Sequence, residues 1–200
     1  MKHFLLTVIM TVSFGLISFN INAKEDKMQK SLVVYFSKTG EQYGVGNISE
    51  GNTAIVAKMI AEKTGADIFE IKVKNDTYPT EYRPLTEVAL KEKNANARPE
   101  IIGDVKNFDD YTTVFIGTPN WWSDMPMALY TFMENHKWDN KKVAPFVTHE
   151  GSGLSSIPSK IKTTTGAQVS DGLALYGHVA QNEKENAEAQ VDSWLKKLGY

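Results

Sequence analysis

Hydroxyls, glycines and an amide cluster between an apolar run and a helical pattern in SKTGEQYGVGNISEGNT (37–53): Ser37, Thr39 and Gly40 first, then Asn52 and Thr53. Such side chains offer neutral hydrogen bonds, and the N–H groups that open a helix attract anions. The combination suits a phosphate group held without a dedicated cation. No GK[ST] follows the glycines, and GVGNISEG has the wrong spacing for GxGxxG, so neither a triphosphate loop nor a dinucleotide fingerprint is present. Taken alone, the stretch equally fits a capped surface loop.

Two other polar stretches raise the same question. TPNWWSDMP (118–126) sets Trp121 beside Trp122, after Pro119 and Asn120. Consecutive residues of a strand point opposite ways, so one indole can pack inward while the other offers a flat face to a planar ligand. An aromatic pair adds about 0.5–1.5 kcal/mol beyond area burial. Sealing a helix start is the competing use of two tryptophans. THEGSG (148–153) follows another apolar run and contributes Thr148, His149, Glu150, Gly151, Ser152 and Gly153. Its glycines leave main-chain N–H groups open to a ring edge. His149 and Glu150 have the chemistry of an acid–base pair, although ordinary loop residues at a strand end are the plainer reading. A hydroxyl cradle, an aromatic plate and a glycine edge together describe a site for a phosphorylated planar heterocycle.

These loops must be brought together by the elements around them. LVVYF (32–36) is a continuous apolar run, as in a strand buried on both faces. Residues 52–64 repeat apolar positions at helical spacing, with Asn52 or Thr53 as the expected cap and Gly65 as the stop. Strands are expected at 66–73, 111–119, 141–149 and 169–177, the last interrupted by Asp171 and Gly172. Helices are expected near 85–96, over 126–136 with Pro126 in the first turn, after Gly151, and over 183–198. This alternation predicts an α/β fold, a three-layer, doubly wound, five-stranded parallel sheet with right-handed crossovers. Ligands of such sheets bind beyond the carboxyl ends of the strands, which is where all three polar loops fall.

Bulk properties narrow the function. The chain has 200 residues, a formal net charge of −2 and no cysteine, which excludes disulfides, thiolate catalysis and Cys-ligated metals. Its arginines are Arg83 and Arg98, far apart in sequence, so no clustered basic surface for nucleic acid is expected. Residues 1–23 have the form of a cleaved secretory signal: Lys2, the apolar run FLLTVIMTVSFGLISF, then NINA. The run is 16 residues, short of the ~20 that span a bilayer. The expected mature domain is 24–200, exported to the periplasm and without a stable membrane span.

YFSKTG, GNTAIVAKMIAEKTGADIFEI, GTPNWW…MPMALYTF and THEGSG, in that order, resemble the flavodoxin-like superfamily, in particular its exported bacterial members. The resemblance covers roughly 31–198. It implies strand order 2-1-3-4-5 and FMN as cofactor. It also implies phosphate contacts from Ser37, Thr39, Asn52 and Thr53 with Gly40 at the turn, flavin-side positions at Pro119, Asn120, Trp121 and Trp122, and a pyrimidine-edge loop at 148–153. In typical members the cradle is continuous. Here residues 41–51 part its two halves, an insertion expected to loop out and return at little closure cost. Two departures stand out: mild acidity compared with electron carriers, and no glycine in the WWSDMP loop. The resemblance implies an FMN-dependent redox protein serving a small-molecule or protein partner, as carrier or as reductase. A flavin-free binding module is the alternative, and a hydrolase is disfavoured because no GxSxG elbow exists.

Overall fold

The structure is a computed structural model and describes residues 30–200, so the expected signal sequence lies outside the described residues. Strand β1 (Lys30–Tyr35) sits near the centre of the sheet, and its apolar run is divided between two cores. Leu32 and Val34 face one side, while Val33 and Tyr35 face the other, as the two-residue period of a strand requires. Because both faces are covered, β1 shows no polar alternation.

Four further parallel positions complete the sheet. These are β4 (Asp67–Glu70), β5 (Tyr111–Pro119), β6 (Lys142–His149) and a split fifth position made of β7 (Gln168–Val169) and β8 (Leu173–Tyr176). The order is β4-β1-β5-β6 and then β7 with β8, which is 2-1-3-4-5 in sequence terms. One core packs α2 (Tyr82–Asn94), α3 (Met127–Glu134) and α4 (Ile157–Thr165) through Leu85, Phe132 and Ile161. The other packs α1 (Asn52–Thr64), α5 (Gly177–Asn182) and α6 (Lys184–Leu198) through Ile60, Val179 and Trp194. The sheet is thus the middle of three layers.

Several elements differ from expectation for local reasons. The strand expected at 66–73 ends early at the sheet edge. Its continuation turns away, and Val73 bridges Ile101 antiparallel. The strand expected at 169–177 is interrupted at Ser170–Gly172, where Trp194 Nε1 donates to the released Asp171 carbonyl at 2.9 Å. Helix α1 is capped neither by Asn52 nor by Thr53 but by Gly51, and Pro126 is the cap of α3 rather than part of its first turn. The interruption at 41–51 is not an irregular loop. It forms an antiparallel hairpin of β2 (Gly40–Gln42) and β3 (Gly46–Ile48), with Glu41 opposite Asn47.

Candidate functional site

The connections leaving β1, β5 and β6 meet in one cleft of about 170 Å³ at the carboxyl rim of the sheet. Its wall includes Ser37, Asn52 and Thr53 from the first connection, Pro119, Asn120 and Trp121 from the second, and Thr148, His149, Glu150 and Ser152 from the third.

Gly51 fixes the geometry of the first wall. Gly51 has no side chain with which to cap α1, and a Cβ there would stand 2.1 Å from Ser37 Oγ and 2.7 Å from the Lys38 carbonyl. The two halves of the interrupted cradle therefore touch at this point, and Ser37 Oγ accepts the Ala54 N–H at 3.1 Å, capping the helix from a distance in sequence. An α-helix start carries N–H groups without intrahelical acceptors and a positive dipole end, both suited to an anion. Thr53 is 1% exposed, and its hydroxyl shares a 2.7 Å hydrogen bond with that of Thr148, joining α1 to β6. Asn52 is held by Gln181, whose Nε2 donates to its Oδ1 at 2.8 Å. Thr39 does not line the cleft and instead borders an adjoining shallow depression with Ser37, Gly51, Glu50 and Lys58. Gly40 turns the chain into β2 at φ 95°, packed against Thr80.

The tryptophan loop is a tight turn built without glycine. Trp121 and Asp124 exchange both backbone hydrogen bonds, Trp121 N to Asp124 O at 2.8 Å and the reverse at 3.1 Å. Between them Trp122 and Ser123 adopt φ 57° and 60°, the paired positive angles of a type I′ turn. Such conformations cost of order 1–3 kcal/mol each for residues with a side chain, and several contacts hold this one. Lys93 Nζ donates to the Trp122 carbonyl at 2.6 Å, Ser156 Oγ donates to the Ser123 carbonyl at 2.9 Å, and Asn120 Oδ1 accepts the Ser123 N–H at 3.0 Å. Buried Asp124 accepts from Met125 N, Tyr130 OH and Lys160. The loop gives its two indoles different fates. Trp121 lines the cleft and meets Phe36 and Tyr78 edge-on, at 5.4 and 5.6 Å. Trp122 is 47% exposed outside the cleft, its Nε1 donating to Thr86 O at 2.9 Å.

The third wall carries the ionisable groups. His149 Nδ1 accepts the Gly151 N–H at 2.9 Å, which leaves the ring proton on Nε2. Desolvation pushes the His149 pKa below its ordinary value, aided by His178 and opposed by Glu150. His149 and Glu150 make no pair with one another. Glu150 instead accepts the His178 N–H and contacts His178 Nδ1, each at 2.8 Å, securing the start of α5. Gly151 and Gly153 sit at φ 109° and 59°, with open space where a Cβ would project. Asn120 Nδ2 donates to Gly153 O at 3.0 Å and so ties the second loop to the third.

Sequence reasoning did not single out Gly51, Lys38, Gln42 or Tyr82, which all border the cleft or its cradle. Gly51 was detectable as the glycine directly before the helix. Tyr82 lay in a turn-rich stretch with no periodic signal, and Gln42 in an insertion with none. Lys38 adds a cation to a wall expected to be neutral, but Asp76 Oδ2 pairs with it at 3.1 Å. Among the described residues no cluster of His, Asp and Glu could hold a metal ion, and no helix is long and apolar enough to cross a membrane.

The profile of the flavodoxin family matches residues 30–197. No curated protein matches the chain. Among solved structures, a candidate flavoprotein of Bacteroides eggerthii is similar at 27% identity, covering 83% of this chain and 98% of its own, with a TM-score of 0.61. A second candidate flavoprotein, from Bacteroides uniformis, shares 26% identity over 84% of this chain and 97% of its own, with a TM-score of 0.63. A Lactobacillus acidophilus flavoprotein solved in complex with FMN shares 23% identity over 83% of this chain and 98% of its own, at a TM-score of 0.59, a likeness of fold.

Proposed function

The chain belongs to the flavodoxin family, and from that premise we propose that it binds FMN in the cleft at the carboxyl rim and acts as an exported redox protein. The supporting observation is the convergence of Ser37, Asn52 and Thr53 with Trp121 and with Thr148, His149, Glu150 and Ser152 around one cleft. The residues present suit the cofactor. The start of α1 and Ser37 offer an uncharged seat for a phosphate, Trp121 offers an aromatic surface, and Gln42 holds an amide nitrogen with no partner. FMN, when bound, supplies the electron chemistry, and the protein contributes binding, orientation and electrostatics.

The chain's own residues do the rest. Ser37 and the helix start hold the phosphate end, and the Thr53–Thr148 hydrogen bond keeps that seat rigid against β6. Trp121, backed by Phe36 and Tyr78, would shield the flavin from water where the two meet. His149 is neutral at pH 7, because its pKa lies below the ordinary histidine value, and its Nε2–H is a donor rather than a cation. The leader at 1–23 directs the domain to the periplasm, and a small molecule or a protein accepts the electrons. Titrating FMN into purified flavin-free protein tests the reading. Quenched flavin fluorescence and absorption bands perturbed from those of free FMN are expected. Fluorescence unchanged at micromolar protein would overturn it.

A further inference from the structure

Gln42 stands out among the described polar groups. Among the described residues, its side-chain nitrogen is the buried one with no hydrogen-bond partner. A carboxamide nitrogen carries two N–H donors, and leaving them unmade inside a protein is costly. The backbone around it leaves little room to escape that cost. Glu41 N donates to Thr80 O at 2.7 Å, and Tyr82 N donates back to Glu41 Oε2 at 2.9 Å. A Cβ on Gly40 would come within 2.5 Å of the Thr80 carbonyl, so the hairpin lies directly on this segment. Beyond Gln42, Tyr43 packs on Tyr82 with ring centroids 5.7 Å apart. A strand pinned on both sides of Gln42 holds its amide inward.

The direction is specific. Gln42 lines the cleft together with Tyr82, Asn120 and Trp121, and it also borders the adjoining groove beside Leu85 and Trp122. It does not border the depression around Thr39, Ser49 and Gly51. It therefore shares the cleft with the start of α1 but extends it on the aromatic side, toward Trp121 and the groove beside Trp122. We infer that Gln42 is a cofactor-binding residue whose carboxamide donates to an acceptor on the flavin ring, and that the hairpin interrupting the phosphate loop exists to deliver it. This inference rests on the FMN reading above. The flavin ring offers carbonyl oxygens and unprotonated nitrogens as acceptors, so the missing partner is chemically available on that ligand.

The test compares two flavins and two variants. FMN and riboflavin are titrated by fluorescence into wild type, Gln42→Met and Gln42→Glu, and each flavin-free protein is melted. Methionine keeps the length of the side chain without its donors, and glutamate keeps its shape but only accepts. The inference expects both variants to lose FMN and riboflavin by the same factor, roughly twofold to tenfold for a lost hydrogen bond. It also expects flavin-free Gln42→Met to melt no lower than wild type, because no stranded donor remains. Unchanged affinity in both variants overturns the inference, as does a loss confined to FMN, which would assign Gln42 to the phosphate. A drop in melting temperature that accompanies the affinity loss makes the role structural and overturns it too. Wild type that binds neither flavin overturns the FMN reading itself, and this inference with it.

Discussion

The two ends of the sheet use their polar groups in opposite ways. Where β6 and β7 begin, a hollow bordered by His136, Trp138, Lys141 and Gln168 encloses about 770 Å³, far more than the 170 Å³ of the cleft at the other end. Yet the buried polar groups Lys141, Trp138 and His136 at the larger hollow are committed to main-chain carbonyls. Lys141, 5% exposed, donates to the carbonyls of Tyr111 at 2.6 Å and Phe108 at 2.9 Å, and burial depresses its pKa. Trp138 Nε1 donates to Met133 O, and His136 Nδ1 meets Phe132 O, both at 2.8 Å. At the carboxyl rim, by contrast, the Gln42 amide is unpartnered, and the start of α1 has no cap but the Ser37 hydroxyl on the Ala54 N–H. Uncommitted hydrogen-bonding capacity, more than volume, distinguishes a binding site from a structural seam.

That contrast can be broken most severely at Gly51. Gly51→Ala drives a methyl group into Ser37 and Lys38, and overpacking of about 1–3 kcal/mol implies a ten- to hundredfold loss of FMN affinity by fluorescence titration. Affinity within about twofold of wild type would mean that the crossing of the two cradle halves does not shape the site. The opposite end supplies the converse experiment. Lys141→Met strands two carbonyls and should lower unfolding stability in urea by about 1–3 kcal/mol, with FMN affinity of the folded protein unchanged. A large affinity loss there would erase the distinction between the two ends.

Within the rim, the tryptophans sharpen the comparison. Trp121→Ala should weaken FMN roughly twofold to tenfold through lost aromatic contact, whereas Trp122→Ala should change binding by less than about twofold. Equal losses would mean that the 121–124 turn does not divide their roles. The smallest effect is electrostatic. The folded pKa of His149 lies below that of the unfolded chain, so between the two values the unfolded state binds more protons. Stability should therefore decline as pH falls from about 6.5 through the depressed value. A ring titration followed by NMR at or above that reference would contradict the partly desolvated, neutral imidazole.

The legibility of each region follows from the range of the interactions that build it. The five strand positions were readable because runs such as LVVYF and regular alternation reflect local burial, whereas their order was implied only by the family resemblance. The convergence of three loops was readable too, because parallel topology forces the carboxyl ends of strands to one rim. Thr39 and Trp122 were grouped with the site by their loops and by the resemblance, and the structure sets each in a depression adjoining the cleft. Thr39 lies beside Ser37 and Gly51, and Trp122 beside Trp121, the other member of a pair of which only one was expected to stack. The backbone turns between Lys38 and Gly40 and between Trp121 and Asp124, and a turn separates neighbours that a motif treats as one. The plainer reading of His149 and Glu150 as separate loop residues fits the structure, where Glu150 finds His178 from a distant helix.

The amino-acid sequence by itself determined the layered α/β architecture and the set of loops that carry chemistry, because periodicity and turn residues are properties of neighbours along the chain. Tertiary structure alone decided which side chain caps α1, which indole faces the cleft, and that an apparent interruption folds into a hairpin aiming Gln42 inward. Those outcomes depend on contacts between segments such as 41 with 80 and 37 with 54, whose cost and gain no local pattern encodes.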